Sequence, residues 1–232
     1  MKRDSSLRGF RRVIGHLSLV LTATTSSLIL PTQQGLAQVI QEQLSKALLA
    51  EATCVEIGGV DSIDILIETA RDGDTQLVRT LMDCGVPVNN RGLWVQTLAN
   101  EDTMELMAQP IHAASWNGHA EIVQMLLDAG AGVDMLDEWG FTPLMTAAEV
   151  GDKQIVILLL EAGADVDRAT RCTYCMNETA LLIAVQYGHV AVVSELLEAG
   201  ADKSIELSDG RNALFLARMT GNQQIIQMLE DD

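Results

Sequence analysis

Glycine recurs through this chain in two interleaved series that share a common step. Gly73, Gly118, Gly151, Gly188 and Gly221 stand 45, 33, 37 and 33 residues apart, and Gly85, Gly130, Gly163 and Gly200 repeat the first three steps. A shared period of 33 with the same two insertions, of 12 and four residues, marks repeats of one supersecondary unit. The clearest unit runs from Asp137 to Asp167. In it, Thr142 provides a helix cap and Pro143 the first helical position. Ala147 and Ala148 are small enough for neighbouring helices to approach closely, and Gly151 ends the helix in a left-handed conformation. Ile155, Val156, Leu159 and Leu160 then recur at helical spacing as the apolar face of a second helix, which Gly163 ends. One such pair cannot bury this face alone; stacked neighbours bury it together. The pattern predicts an all-α solenoid of helix-turn-helix repeats. Hydrophobic residues at 48% with aromatics at only 3% suit closely packed small helices better than a sandwich or barrel.

The units QPIHAASWNGHAEIVQMLLDAGAGVD, DEWGFTPLMTAAEVGDKQIVILLLEAGADVD, ETALLIAVQYGHVAVVSELLEAGAD and GRNALFLARMTGNQQIIQMLEDD resemble the ankyrin repeat. That family's pattern reads G-x-T-P-L-H-x-A-A, then G-H, I-V, L-L and G-A-D. The resemblance covers residues 61 to 232, in five units at 61–89, 90–134, 137–167, 168–202 and 207–232. It is strongest from Pro110 to Asp202. Ala180 and Ala213 replace the proline in the fourth and fifth units, and Asn177, which tolerates positive φ, stands where glycine is usual. The first unit has Asp64-Ile65 for Thr-Pro. A helical cap is expected at 38–60. The resemblance implies β-hairpin fingers projecting from a concave side, and partners that bind along the fingers and the exposed face of the first helices.

The N-terminus reads as an address. MKRDSSLRGFRR is basic, an apolar run diluted by Ser and Thr follows, Pro31 breaks it, and Gly35 and Ala37 stand at −3 and −1 of a cut before Gln38. This is the layout of a secretory signal peptide over residues 1–37, with an uncleaved anchor as the alternative. Arg11-Arg12 faintly suggests a twin-arginine signal. The remaining chain is expected to be periplasmic or secreted, not inserted in a membrane, and monomeric.

The full chain carries a net charge of −17. The first 37 residues hold five Lys or Arg and one acid, so the remainder holds 10 basic and 31 acidic residues, a net of −21. Such a surface disfavours nucleic acid and anionic lipid and steers a basic protein partner towards it.

The first insertion lies within RGLWVQTLANEDTMELMA, in a finger, and its EDTMELMA segment suits a short helix. The second, in RATRCTYCMNE, contains Cys172 and Cys175. A local disulfide closing the finger is the favoured reading. A thiol oxidoreductase site lacks the usual βαβ setting, and a zinc site lacks two further ligands. Cys54 and Cys84 form a second candidate pair, joining cap to first repeat; four cysteines allow three pairings.

No catalytic residue, metal site or cofactor is indicated. His112, His119 and His189 fall at family positions where imidazoles bond neighbouring backbone, and no nucleophile elbow, HExxH or phosphate loop is present. The expected partner-binding residues follow from the repeat register. Glu138, Trp139 and Phe141 lie on the third finger, Trp116, Glu149 and Tyr187 near the ends of first helices, and Trp94 and Tyr174 in the insertions. Six of the seven aromatics after residue 37 map to this face, and Phe215 does not. Exposed aromatics of this kind anchor interfaces. The function expected is an exported scaffold or adaptor acting on another envelope protein. The alternatives are an inhibitor or immunity protein that blocks a secreted enzyme, and the thiol oxidoreductase.

Overall fold

A computed structural model of the chain describes residues 62–97, 103–170 and 177–230. The expected signal peptide, its cleavage site, the helical cap, Cys54, Cys172, Tyr174 and Cys175 lie outside these residues. Among the described residues, ten helices follow one another in pairs. They are α1 (Ser62–Asp72), α2 (Thr75–Asp83), α3 (Pro110–Trp116), α4 (Ala120–Asp128), α5 (Pro143–Val150), α6 (Lys153–Glu161), α7 (Ala180–Tyr187), α8 (Val190–Glu198), α9 (Ala213–Thr220) and α10 (Gln223–Glu230). The odd-numbered helices pack in one row, α1 on α3, α3 on α5, α5 on α7 and α7 on α9; the even-numbered helices form a second row behind them. This is the two-row solenoid expected from the glycine period.

The caps act as the sequence requires. Thr142 Oγ1 accepts from the Met145 amide at 3.2 Å, and the Met145 sulfur accepts in return from the Thr142 amide at 3.4 Å. Pro143 follows in the first helical position. Gly151 closes α5 at φ 83° and donates its amide to the Ala147 carbonyl at 2.9 Å. All nine glycines of the two series have positive φ, and so does Asn177, at 60°. A glycine period in sequence is therefore a period of left-handed helix ends in space.

Alanines make the first row tight. Ala113, Ala114, Ala147, Ala148, Ala184 and Ala217 are all fully buried. Ile122, Val123 and Leu126 recur in the second row as Ile155, Val156 and Leu159 and as Val192, Val193 and Leu196, again fully buried or nearly so. Each fully buried aliphatic side chain contributes about 1.5–3 kcal/mol relative to exposure.

Consecutive fingers are tied by side-chain-to-backbone bonds. Asn89 donates to the Gly130 carbonyl at 2.9 Å and accepts from the Gly132 amide at 2.7 Å. Asp134 accepts from the Asp165 amide at 3.1 Å, and Asp167 from the Asp202 amide at 2.8 Å.

The first insertion departs from expectation. Instead of a short helix, Thr103–Ala108 forms strand β2, antiparallel to β1 (Gly92–Thr97), with Gly92 opposite Ala108 and Thr97 opposite Thr103. Met, Glu, Leu and Ala favour helix locally. GLWVQT, rich in β-formers, supplies a facing strand, and the pairing overrides that local preference.

Candidate protein-binding surface

The third finger is a rigid turn built on Asp137. Its Oδ1 accepts from the amides of Trp139 at 2.9 Å and Phe141 at 2.8 Å, and its own amide donates to the Phe141 carbonyl at 3.0 Å. Burial holds the Asp137 carboxyl above its ordinary range, partly offset by these amide bonds. His112, fully buried on α3, braces the same finger: its Nε2 donates to the carbonyls of Met135 and Phe141, both at 3.1 Å. Desolvation depresses its pKa to about 4, so the imidazole is neutral. Trp139 projects from this braced turn with half its surface exposed, while Phe141 is half-buried. Glu138 faces the inserted hairpin. Its carboxylate accepts from the Met107 amide, and its amide donates to the Met107 carbonyl, both at 3.0 Å.

The ends of the first helices carry a second group of side chains. Tyr187, at the end of α7, donates its hydroxyl to Glu149 of α5 at 3.0 Å. His189 lies parallel to the Tyr187 ring, with centroids 6.1 Å apart, and its Nε2 donates to the Glu149 carbonyl at 2.9 Å. Tyr187 remains 54% exposed. Desolvation, with the Glu149 charge and hydrogen bond, pushes its phenol up to about 12. Burial raises the Glu149 carboxyl, the Tyr187 bond opposes it, and Glu178 and Asp137 add repulsion. Glu178, on the fourth finger, is raised by burial.

Of the expected binding residues, Glu138, Trp139 and Phe141 share the third finger and Glu149 and Tyr187 are hydrogen-bonded to each other, while others stand apart. Trp116 is half-buried and packs on the cluster of Ile67, Ala108 and Ala113, so it is shared between core and surface. The backbone of Trp94 lies in β1 opposite Leu106. Val150, 39% exposed, and Met107, 40% exposed, were not anticipated. Val150 occupies the register position of Tyr187, one residue before the loop glycine, and could have been found by aligning the repeats. Phe215, placed off this face by the register, is nonetheless half exposed. His119 donates from Nε2 to the Arg71 carbonyl at 2.8 Å. Cys84 caps α2 and is disulfide-bonded. Among the described residues no three His, Cys, Asp or Glu side chains converge as a metal-binding group, and no helix is long and apolar enough to cross a membrane.

A family model for ankyrin repeats (three copies) matches residues 66–170 and 168–232. Among curated proteins, the chain is similar to the E3 ubiquitin-protein ligase XBAT33 of Arabidopsis thaliana, 37% identical over 82 residues, covering 35% of this chain and 14% of that protein. It is also similar to the serine/threonine-protein kinase 12 of Arabidopsis thaliana, 32% identical over 82 residues, covering 35% and 15%. The probable E3 ubiquitin-protein ligase XBOS32 of Oryza sativa subsp. japonica is 36% identical over 84 residues, covering 36% and 15%. The matches span only 14–15% of these relatives' lengths.

Proposed function

Because this chain belongs to the ankyrin-repeat family, whose repeats serve as protein-binding scaffolds, we propose that it is an exported scaffold or adaptor. It engages another envelope protein through its concave face and enlarged fingers, and carries out no chemistry of its own. The observation that carries this reading is the pairing of exposure with restraint. Trp139 and Tyr187 are each about half exposed, yet one stands on a hydrogen-bonded turn and the other is held by Glu149 and His189. Side chains ordered before binding lose little entropy on complex formation, which suits interface anchors. Export rests on the basic and apolar pattern of residues 1–37.

The test is affinity capture from envelope and extracellular fractions, read by mass spectrometry, with wild type beside Trp139→Ala. The wild type should retain a specific protein, and the variant should lose it while keeping its helical circular dichroism. Full retention by the folded variant would contradict the reading, and unfolding would assign Trp139 to packing. A captured hydrolase silenced in a one-to-one complex would replace the adaptor role with an inhibitory one.

A further inference from the structure

We propose that Tyr187, Glu149 and Glu178 seat an arginine side chain of a basic partner segment, an inference that rests on the concave face being the binding surface. The His189 ring lies parallel to the Tyr187 ring within 6°, its centroid 6.1 Å away, and Glu149 holds the phenol tip, yet over half of Tyr187 meets solvent. Val150, one repeat earlier at the same register position, extends the exposed apolar row. A guanidinium is planar, stacks on an aromatic face and donates several N–H groups to carboxylates in the same plane.

The acceptors are in place. Among the described residues, Tyr187 is the single donor to the Glu149 carboxylate, and neither Glu149 nor Glu178 pairs with a basic side chain. Three acids elsewhere do pair: half-buried Glu195 with Lys153 at 2.7 Å, and exposed Asp209 with Arg211 at 2.6 Å and Glu230 with Arg218 at 2.7 Å. Glu149 and Glu178 also repel each other, which an arriving cation relieves. The net charge of −17 draws a basic segment towards the molecule, and the ring and its two carboxylates determine where it settles.

The probes are fluorescein-labelled hexa-arginine and hexa-citrulline, the second matching the first in shape without its charge, titrated by fluorescence anisotropy. Hexa-arginine should bind at least about tenfold more tightly than hexa-citrulline. Tyr187→Leu and Glu149→Gln should each weaken hexa-arginine about tenfold, and Tyr187→Phe, which keeps the ring, by less than about threefold. Glu161→Gln, an exposed acid on α6 in the second row, should change it by less than about twofold. Equal losses from Glu149→Gln and Glu161→Gln would assign the attraction to the whole acidic surface and overturn the proposal, as would no binding of hexa-arginine. Thermal melts of each variant separate lost binding from lost fold, and if Tyr187→Leu unfolds, Tyr187→Met takes its place as the variant without a ring and should show the same loss. If the partner captured from cells is lost with Trp139→Ala but kept with both Glu149→Gln and Tyr187→Leu, the scaffold function stands and the arginine seat fails.

Discussion

The imidazole of His189 rests against Gly151, so closely that a β-carbon on the glycine would come within 2.5 Å of Nδ1. Nε2 of the same ring donates to the Glu149 carbonyl at 2.9 Å. One side chain thus closes the helix end of the preceding repeat. His119 does the same at Gly73, where a β-carbon would lie 2.6 Å from the ring. Gly163, at φ 88°, has nothing within 4 Å of that position. Gly163→Ala should therefore cost only the left-handed conformation, about 1–2 kcal/mol. Gly151→Ala should cost more, because the imidazole is displaced as well. Urea denaturation of both variants checks this, and equal losses would show that His189 yields freely.

His112 makes the fold sensitive to acid. Its folded pKa, about 4, lies below the ordinary 6.5, so the folded state disfavours the charged ring. This group leaves stability unchanged above about pH 6.5 and removes it as pH falls towards 4, by on the order of 3 kcal/mol in all. Asp137, Glu149 and Glu178 act in the opposite sense, since their folded pKa values are raised: they favour the fold at low pH and lose that contribution as pH rises through those values. The difference between wild type and His112→Leu isolates the histidine. Denaturant midpoints from pH 7 to pH 4 should converge on acidification, as wild type loses its advantage; parallel curves would rule out the buried neutral ring.

Gln109 stands where Thr142 and Thr179 cap their helices, but it makes no cap bond. Its amide is fully buried, and neither Oε1 nor Nε2 has a partner. Leaving such a group unsatisfied costs about 1–3 kcal/mol. Gln109→Met keeps the shape and removes the polar atoms, so it should raise the denaturation midpoint by a corresponding amount. A lower midpoint would mean that the amide contributes to the fold.

Tyr187 should titrate late. Its phenol is pushed up to about 12, with the Glu149 charge and hydrogen bond adding to desolvation. Glu149→Gln removes the charge and should bring the pKa down, read as an earlier phenolate absorbance in an alkaline titration. Tyr174, the other tyrosine of the chain, is removed by Tyr174→Phe in both proteins so that one transition remains. An unchanged midpoint would show that Glu149 adds nothing and that desolvation and the Glu178 charge set it.

The helices, their caps and their left-handed ends were legible because each depends on residues within one unit: Thr142 with Pro143, Gly151, Gly163. The imidazole bonds to backbone followed from the family register. What escaped depends on neighbours. Thr103–Ala108 reads as helix until Gly92–Thr97 lies beside it. Phe215 occupies the register position of His112, Met145 and Leu182, which the following repeat buries to 2% exposure or less. No described repeat covers Phe215, and it stays 49% exposed. Trp116 meets a cluster assembled from α1, β2 and α3, a combination that no single repeat reveals.

The bonds from Asn89, Asp134 and Asp167 to the next finger join successive units in a line. Each repeat touches only its neighbours, so tension along the stack passes through every junction in series. Such a molecule yields where one junction is weakest, and it stretches or bends as a spring before it breaks. The junction beside Gln109, where buried polar atoms of Gln109 and Ser115 lack partners, is where we expect that spring to yield first.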